Sequence, residues 1–154
     1  MRIGVISDTH GHLDPKVRDL FAGVDHIFHA GDMGFPSIVM ELEELAPVTA
    51  VLGNTDDART EFKELEVVEL GGLKFLLHHI VDPTSPSERL QQAFLHHSPD
   101  VVVFGHSHKP FHELIGNRLY LNPGYAGRPK GEERRSVAVI RLEEGAVEID
   151  LLDL

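Results

Sequence analysis

The first half of the chain alternates short apolar runs with amphipathic segments. Residues 2–7 (RIGVIS) hold a short apolar run, Ile3 to Ile6, the pattern of a strand buried on both faces. Asp14-Pro15 then reads as a helix cap followed by proline at the first helical position, which predicts a helix to about Phe21. A second strand, HIFHA, ends in Gly31-Asp32. Pro36 to Leu45 places Ile38, Leu42 and Leu45 on one face of a second helix. A third strand, VTAVL, ends in Gly53-Asn54. Strand, helix, strand, helix, strand argues for an α/β sheet with right-handed crossovers.

The second half turns to strand pairs. VVEL and LKFLLHH are separated only by Gly71-Gly72, and Ser87 to His97 is predicted helical. DVVVF (100–104) is another buried strand. Two hairpins follow, FHELI with RLYLN and SVAVIRL with AVEIDLL. Residues 82–88 (DPTSPSE) read as a flexible loop. No internal repeat or linker divides the chain, so one domain is expected across residues 1–154.

Composition narrows the function classes. Twenty-five acidic residues against 14 basic ones give a net charge of −11. Such a chain has no general attraction to nucleic-acid backbone or to an anionic membrane. Bound divalent cations would reverse the sign locally, so an anionic substrate stays open. Cysteine is absent, which removes thiol nucleophiles and thiolate metal sites. No apolar run approaches the ~20 residues of a membrane helix. The N-terminus turns polar too soon for a signal peptide, and the cytoplasm is the expected compartment.

Polar residues fall at repeated places. Five predicted strands each deliver Asp, Asn or His just past the carboxyl end: Asp8 and His10, Asp32, Asn54, His79 (with His78 beside it), and His106 with His108. Open α/β sheets place ligand sites in that crevice. Three of these positions have a glycine just ahead, which permits a close backbone approach. Oxygen and imidazole donors suit Mn, Fe, Zn, Ni or Mg. Seven side chains exceed the need of one such ion, and two ions sharing a carboxylate use them well. A metal pair ~3.5–4 Å apart is a known clamp for in-line displacement at phosphorus.

Asp8-x-His10, Gly31-Asp32, Gly53-Asn54, a lone His and Gly105-His106-Ser107-His108 resemble, in order and spacing, the calcineurin-like metallophosphoesterases. The opening ISDTHG, GNTD and the late NPG resemble the small bacterial and archaeal phosphodiesterase branch. The resemblance implies a two-sheet β-sandwich flanked by helices, in four αββα layers. It implies a first metal on Asp8, His10 and His108, a second on Asn54, His79 and His106, and Asp32 bridging them. It implies a phosphodiesterase that attacks with a metal-bridging hydroxide, two divalent ions (manganese foremost, with iron, zinc or nickel as alternatives), and a small phosphodiester or nucleotide as substrate. Relatives are often dimers or tetramers, so a homo-oligomer is a further expectation.

Three positions depart from the family pattern. Thr55 stands where larger phosphatases of this fold carry a His that protonates the leaving group. Losing such an acid forfeits about 10²–10⁴-fold for poor leaving groups. His79-Ile80 replaces the usual His-Gly; strand alternation sends His78 and His79 to opposite faces, with His79 the expected ligand and His78 the alternative. Tyr125 replaces the Ser that follows NPG in relatives. Other residues have blander readings. His12 reads as a rim residue, and Asp56 as a support for Asn54 or a helix cap. Arg128, Arg134 and Arg135 read as a solvated face, with phosphate contact the lesser reading. His26, His29, His96, His97 and His112 read as surface or core. Two further functions stay open: a non-catalytic interaction scaffold, as in a retromer subunit of this fold, and a phosphomonoesterase or nucleotide hydrolase.

Overall fold

A computed structural model describes residues 1–154. In chain order the strands are β1 (Arg2–Ile6), β2 (His26–His29), β3 (Val48–Ala50), β4 (Leu65–Leu70), β5 (Leu73–His78), β6 (Val101–Val103), β7 (Phe111–Ile115), β8 (Arg118–Asn122), β9 (Ser136–Glu143) and β10 (Ala146–Asp153). The helices are α1 (Lys16–Leu20), α2 (Ser37–Glu43) and α3 (Glu88–His97). The first sheet runs β10-β9-β1-β2-β3 and the second β4-β5-β6-β8-β7. Both sheets are mixed. β1, β2 and β3 are parallel with Ile3 opposite His26, whereas β9 runs antiparallel to β1. In the second sheet β5, β6 and β8 are parallel, with antiparallel edges at β4 and β7.

Side-chain alternation explains the layers. Ile3 and Val5, Phe28 and Ala30, and Ala138 and Ile140 turn inward from the first sheet. They meet Phe75, Leu77, Val101, Val103 and Leu121 of the second. The alternate residues Ile6, Ile27, Val137 and Val139 turn outward onto Val17 of α1 and Ile38, Val39 and Leu42 of α2. On the far side Leu76, Val102 and Tyr120 pack on Leu90 and Phe94 of α3. Full burial of each such side chain contributes about 1.5–3 kcal/mol, so both faces of each sheet are secured. The order helices, sheet, sheet, helix is the four-layer sandwich expected.

Local chemistry sets the element ends. Asp14 Oδ1 accepts from the Lys16 N–H at 3.0 Å, as a residue opening a helix at proline should. Ser87 Oγ caps α3 by accepting from the Leu90 N–H. The α2 helix is shorter at both ends than the apolar stripe implied, running from Ser37 to Glu43. Leu45 still packs on the core from the turn beyond it. In the 82–88 loop, Asp82 Oδ1 accepts from the Thr84 and Ser85 N–H groups, so this loop has a defined turn.

Candidate metal centre

The loops that follow β1, β2, β5 and β6 meet at one edge of the sandwich. Asp8 is fully buried there. Its Oδ2 accepts from Ser7 Oγ at 2.7 Å and from the His106 N–H at 3.1 Å. Its Oδ1 has no hydrogen-bond partner. Around Oδ1 stand His108 Nε2 at 3.3 Å, His79 Nε2 at 3.8 Å and His10 Nε2 at 3.9 Å. A buried carboxylate oxygen without a partner is costly unless a cation completes it.

The imidazoles are aimed from behind. His79 is buried, and its Nδ1–H donates to the Ala30 carbonyl at 2.7 Å. That fixes the tautomer and turns Nε2 inward, 3.2 Å from Asp32 Oδ2 but without an aligned hydrogen bond. His108 Nδ1–H donates to Glu133 Oε1 at 2.9 Å, and its ring stacks on Tyr125 with centroids 4.7 Å apart. Carboxylate or carbonyl partners of this kind orient metal-binding imidazoles and raise their basicity. His78 lies outside the cluster, with Nδ1–H donating to the Glu64 carbonyl.

Asp32 completes the cluster. Its Oδ1 accepts from the Thr55 N–H, and its Oδ2 lies 3.8 Å from His10 Nε2 and 3.2 Å from His79 Nε2. The two carboxyls are pushed apart. Burial raises the Asp8 pKa despite Ser7, His79 and His108. Burial would raise Asp32 as well, but the His79 imidazole and the Thr55 N–H more than offset it and hold that carboxyl far below the usual range. For His79 burial works downward, and the facing Asp32 and Asp8 reverse it to a raised value.

Of the seven expected ligands, five converge. Asp8, His10 and His108 each offer an atom within 4.8 Å of the others, and so do Asp8, Asp32 and His79. Asn54 and His106 form their own pair at the margin, His106 Nδ1–H donating to Asn54 Oδ1 at 3.0 Å. The His106 ring sits edge-on to His79, centroids 5.4 Å apart. Asp8 is common to both convergent groups, while Asp32 reaches one imidazole of each. The donors are all carboxylate oxygen and imidazole nitrogen, which fits Mn, Fe, Zn or Ni, and the unpartnered Asp8 Oδ1 and His79 Nε2 are where such an ion would bind.

Several supports surround the cluster, and the sequence points to Asp56 alone among them. Asp56 is a clamp: its carboxylate accepts from the Met33, Gly34 and Gly53 N–H groups, tying the β2 and β3 loops together. Asn122 of the NPG segment donates to the Gly105 carbonyl and Ser107 Oγ and so shapes the GHSH loop. His29 is wholly buried, accepting from the Gly31 N–H and donating through Nε2 to Thr9 Oγ1, which itself donates to the Met33 carbonyl. Burial pushes its pKa down to about 4. Glu133 carries no local signal, since its role depends on a loop 25 residues from His108. Arg135 departs from the solvated face expected: it is nearly buried and engages Asp14 and the Gly127 carbonyl. Arg134 pairs with Asp153.

The chain is similar in sequence and in fold to several known proteins. A probable metallophosphoesterase of Methanothermobacter thermautotrophicus is 35% identical, covering 99% of this chain and 92% of its own. A phosphodiesterase of Methanocaldococcus jannaschii is 32% identical over 80% of this chain and 83% of its own. The fold is that of Vps29 from Entamoeba histolytica, at a TM-score of 0.76 and 24% identity, covering 100% of this chain and 99% of that one. The calcineurin-like phosphoesterase superfamily domain matches residues 1–145. The chain therefore belongs to the calcineurin-like phosphoesterase superfamily.

Proposed function

We propose that the protein is a metal-dependent phosphodiesterase that hydrolyses a small phosphodiester or nucleotide at a two-cation centre. Asp8, His10 and His108 would hold one ion, Asn54, His79 and His106 the other, with Asp32 between them. The observation that carries this reading is the buried Asp8 Oδ1 without a partner, faced by three imidazole Nε2 atoms within 3.9 Å. The 32% identical relative named as a phosphodiesterase favours diester hydrolysis. The scaffold reading fits the fold likeness to Vps29, which is a likeness of fold alone. Manganese is the leading ion; iron, zinc and nickel share its donor preferences.

When bound, divalent ions supply a hydroxide nucleophile near neutral pH and offset charge on the phosphate oxygens. The chain's own residues do the rest. Ala30 and Glu133 hold His79 and His108 in the tautomer that presents Nε2. The low pKa of Asp32 keeps it ionised across the working range. Thr55 sits beside Asp32 with no acid to offer, so diesters with good leaving groups react best. The test is metal-free protein reloaded with Mn²⁺ and given bis(p-nitrophenyl) phosphate beside p-nitrophenyl phosphate. Diester turnover is expected, falling about 10³-fold or more in Asp32→Ala and His108→Ala. Robust turnover in both variants rejects the mechanism, and faster monoester cleavage moves the reading to a phosphomonoesterase.

A further inference from the structure

A groove of about 250 Å³ leaves the centre on its Asn54 side. Asn54 and His79 form its inner end, and Glu64, His78, Ile80 and Arg89 line its outer walls. We infer that this groove is the subsite for one alcohol of the diester and selects an alcohol carrying vicinal hydroxyls, as ribose and glycerol do. The inference rests on the phosphodiesterase reading above.

Continuity supplies the first argument. Asn54 and His79 belong both to the centre and to the groove, so a phosphate held at the centre directs one ester substituent along it. Size supplies the second. The volume lies below the ~300–1,000 Å³ of pockets for drug-sized ligands and matches a five-carbon sugar or a triol better than a whole nucleotide.

The wall chemistry decides between substituents. Glu64, just ahead of β4, forms an ion pair with Arg89 in the first turn of α3. The Arg89 guanidinium holds the Glu64 carboxyl below its usual range, so it is a standing acceptor. A carboxylate accepts from two adjacent hydroxyls at once, the contact that acidic side chains make with ribose in dinucleotide sites. Arg89 adds N–H donors for the hydroxyl oxygens. His78 commits Nδ1–H to the Glu64 carbonyl, which leaves Nε2 as a further acceptor. Ile80, 47% exposed, offers an apolar wall to the carbon face of a polyol. A second phosphate would need a free arginine, but Glu64 offsets this one. Leu52 and Ile80 are the only two apolar residues of an otherwise polar lining, too little for an aryl group.

The experiment uses p-nitrophenyl phosphodiesters whose second alcohol is methanol, glycerol, uridine (through O5′) or 2′-deoxyuridine (through O5′). With the Mn²⁺-loaded protein, the glyceryl and uridyl esters are expected to show KM values about tenfold below the methyl and deoxyuridyl esters. Glu64→Ala and Arg89→Ala should erase that advantage while leaving the methyl ester, Mn²⁺ affinity and Tm unchanged. Glycerol and ribose are then told apart by which ester gains more. Equal KM values across the series, or variants that weaken the methyl ester equally, overturn the subsite and leave diester hydrolysis standing. Absence of turnover on every ester overturns the phosphodiesterase reading and the subsite with it.

Discussion

The two ends of the sandwich use the same backbone shape with different residues. At the site end, five non-glycine residues adopt left-handed φ: Asp8 (54°), His10 (46°), Asp32 (53°), His106 (69°) and His108 (61°). At the opposite end lie the β4–β5, β7–β8 and β9–β10 turns. There the same region is occupied by Gly71 and Gly72, Gly116 and Gly145, with Glu144 and, after α3, Ser98 as the exceptions. Glycine adopts this conformation freely, whereas another residue gives up about 1–2 kcal/mol, somewhat less for Asp and His. Turning the chain therefore does not explain the site end. Strain kept at five chemically matched residues indicates that their side chains must point where they do.

The glycines differ in the same way. Gly72, Gly116 and Gly145 have open space where a Cβ would go. At Gly53 a Cβ would collide with Asp32, and at Gly105 with Ser7 and Asp8. The largest expected effect breaks the contrast there. Gly53→Ala displaces the Asp32 carboxylate and should lower Mn²⁺-dependent diester turnover by about 10³-fold. Near-normal turnover in that variant would mean that Asp32 is not held where the reaction needs it.

Acid should loosen the site end first. The buried His29 has a folded pKa of about 4, against an ordinary 6.5. Between those values the unfolded chain binds the extra proton, so stability rises with pH across the window and is complete above about 6.5. Lowering the pH to 4 should cost about 3 kcal/mol from this group. Urea titrations of metal-free protein at pH 7 and pH 4.5 should show a steeper acid loss in wild type than in His29→Gln. Parallel losses would show that His29 is not the group responsible.

Glu133→Gln is a finer probe, since it keeps an acceptor for His108 Nδ1–H but removes the charge. Metal affinity by calorimetry should fall about 10–100-fold, with the Tm of the metal-free protein nearly unchanged. Unaltered affinity would reduce Glu133 to a surface partner. The smallest effects form a mirror pair. Gly145→Ala should destabilise by about 1 kcal/mol with normal turnover, and His106→Gly should gain up to about 1 kcal/mol in the metal-free protein while losing turnover. Chemical denaturation beside the diester assay reads both, and equal signs in stability would end the contrast between the ends.

Strand positions were legible because apolar runs between Gly and Asp leave few alternatives, and β7, β8 and the inner strands fall where the pattern put them. The convergent residues were legible as residue types at strand ends, because a parallel sheet gathers those ends on one side. Glu133, Asn122 and His29 were not legible in these roles, and Asp56 was legible as a support for Asn54 but not as the clamp between two loops. Their function depends on which loops touch across the sandwich, and the spacing of Glu133 from His108 or of Asp56 from Met33 encodes no such contact. His78 against His79 was open to alternation alone; the Ala30 carbonyl is what turns His79 toward Asp32.

The convergent side chains come from both sheets: Asp8, His10 and Asp32 from the first, His79 and His108 from the second. An ion seated among them is thus a rivet through the sandwich, closing chain segments about 100 residues apart. Because it would bind only the folded arrangement, its loss would lower the unfolding free energy by mass action. Chelated protein should then fall to proteases and heat sooner than the loaded protein.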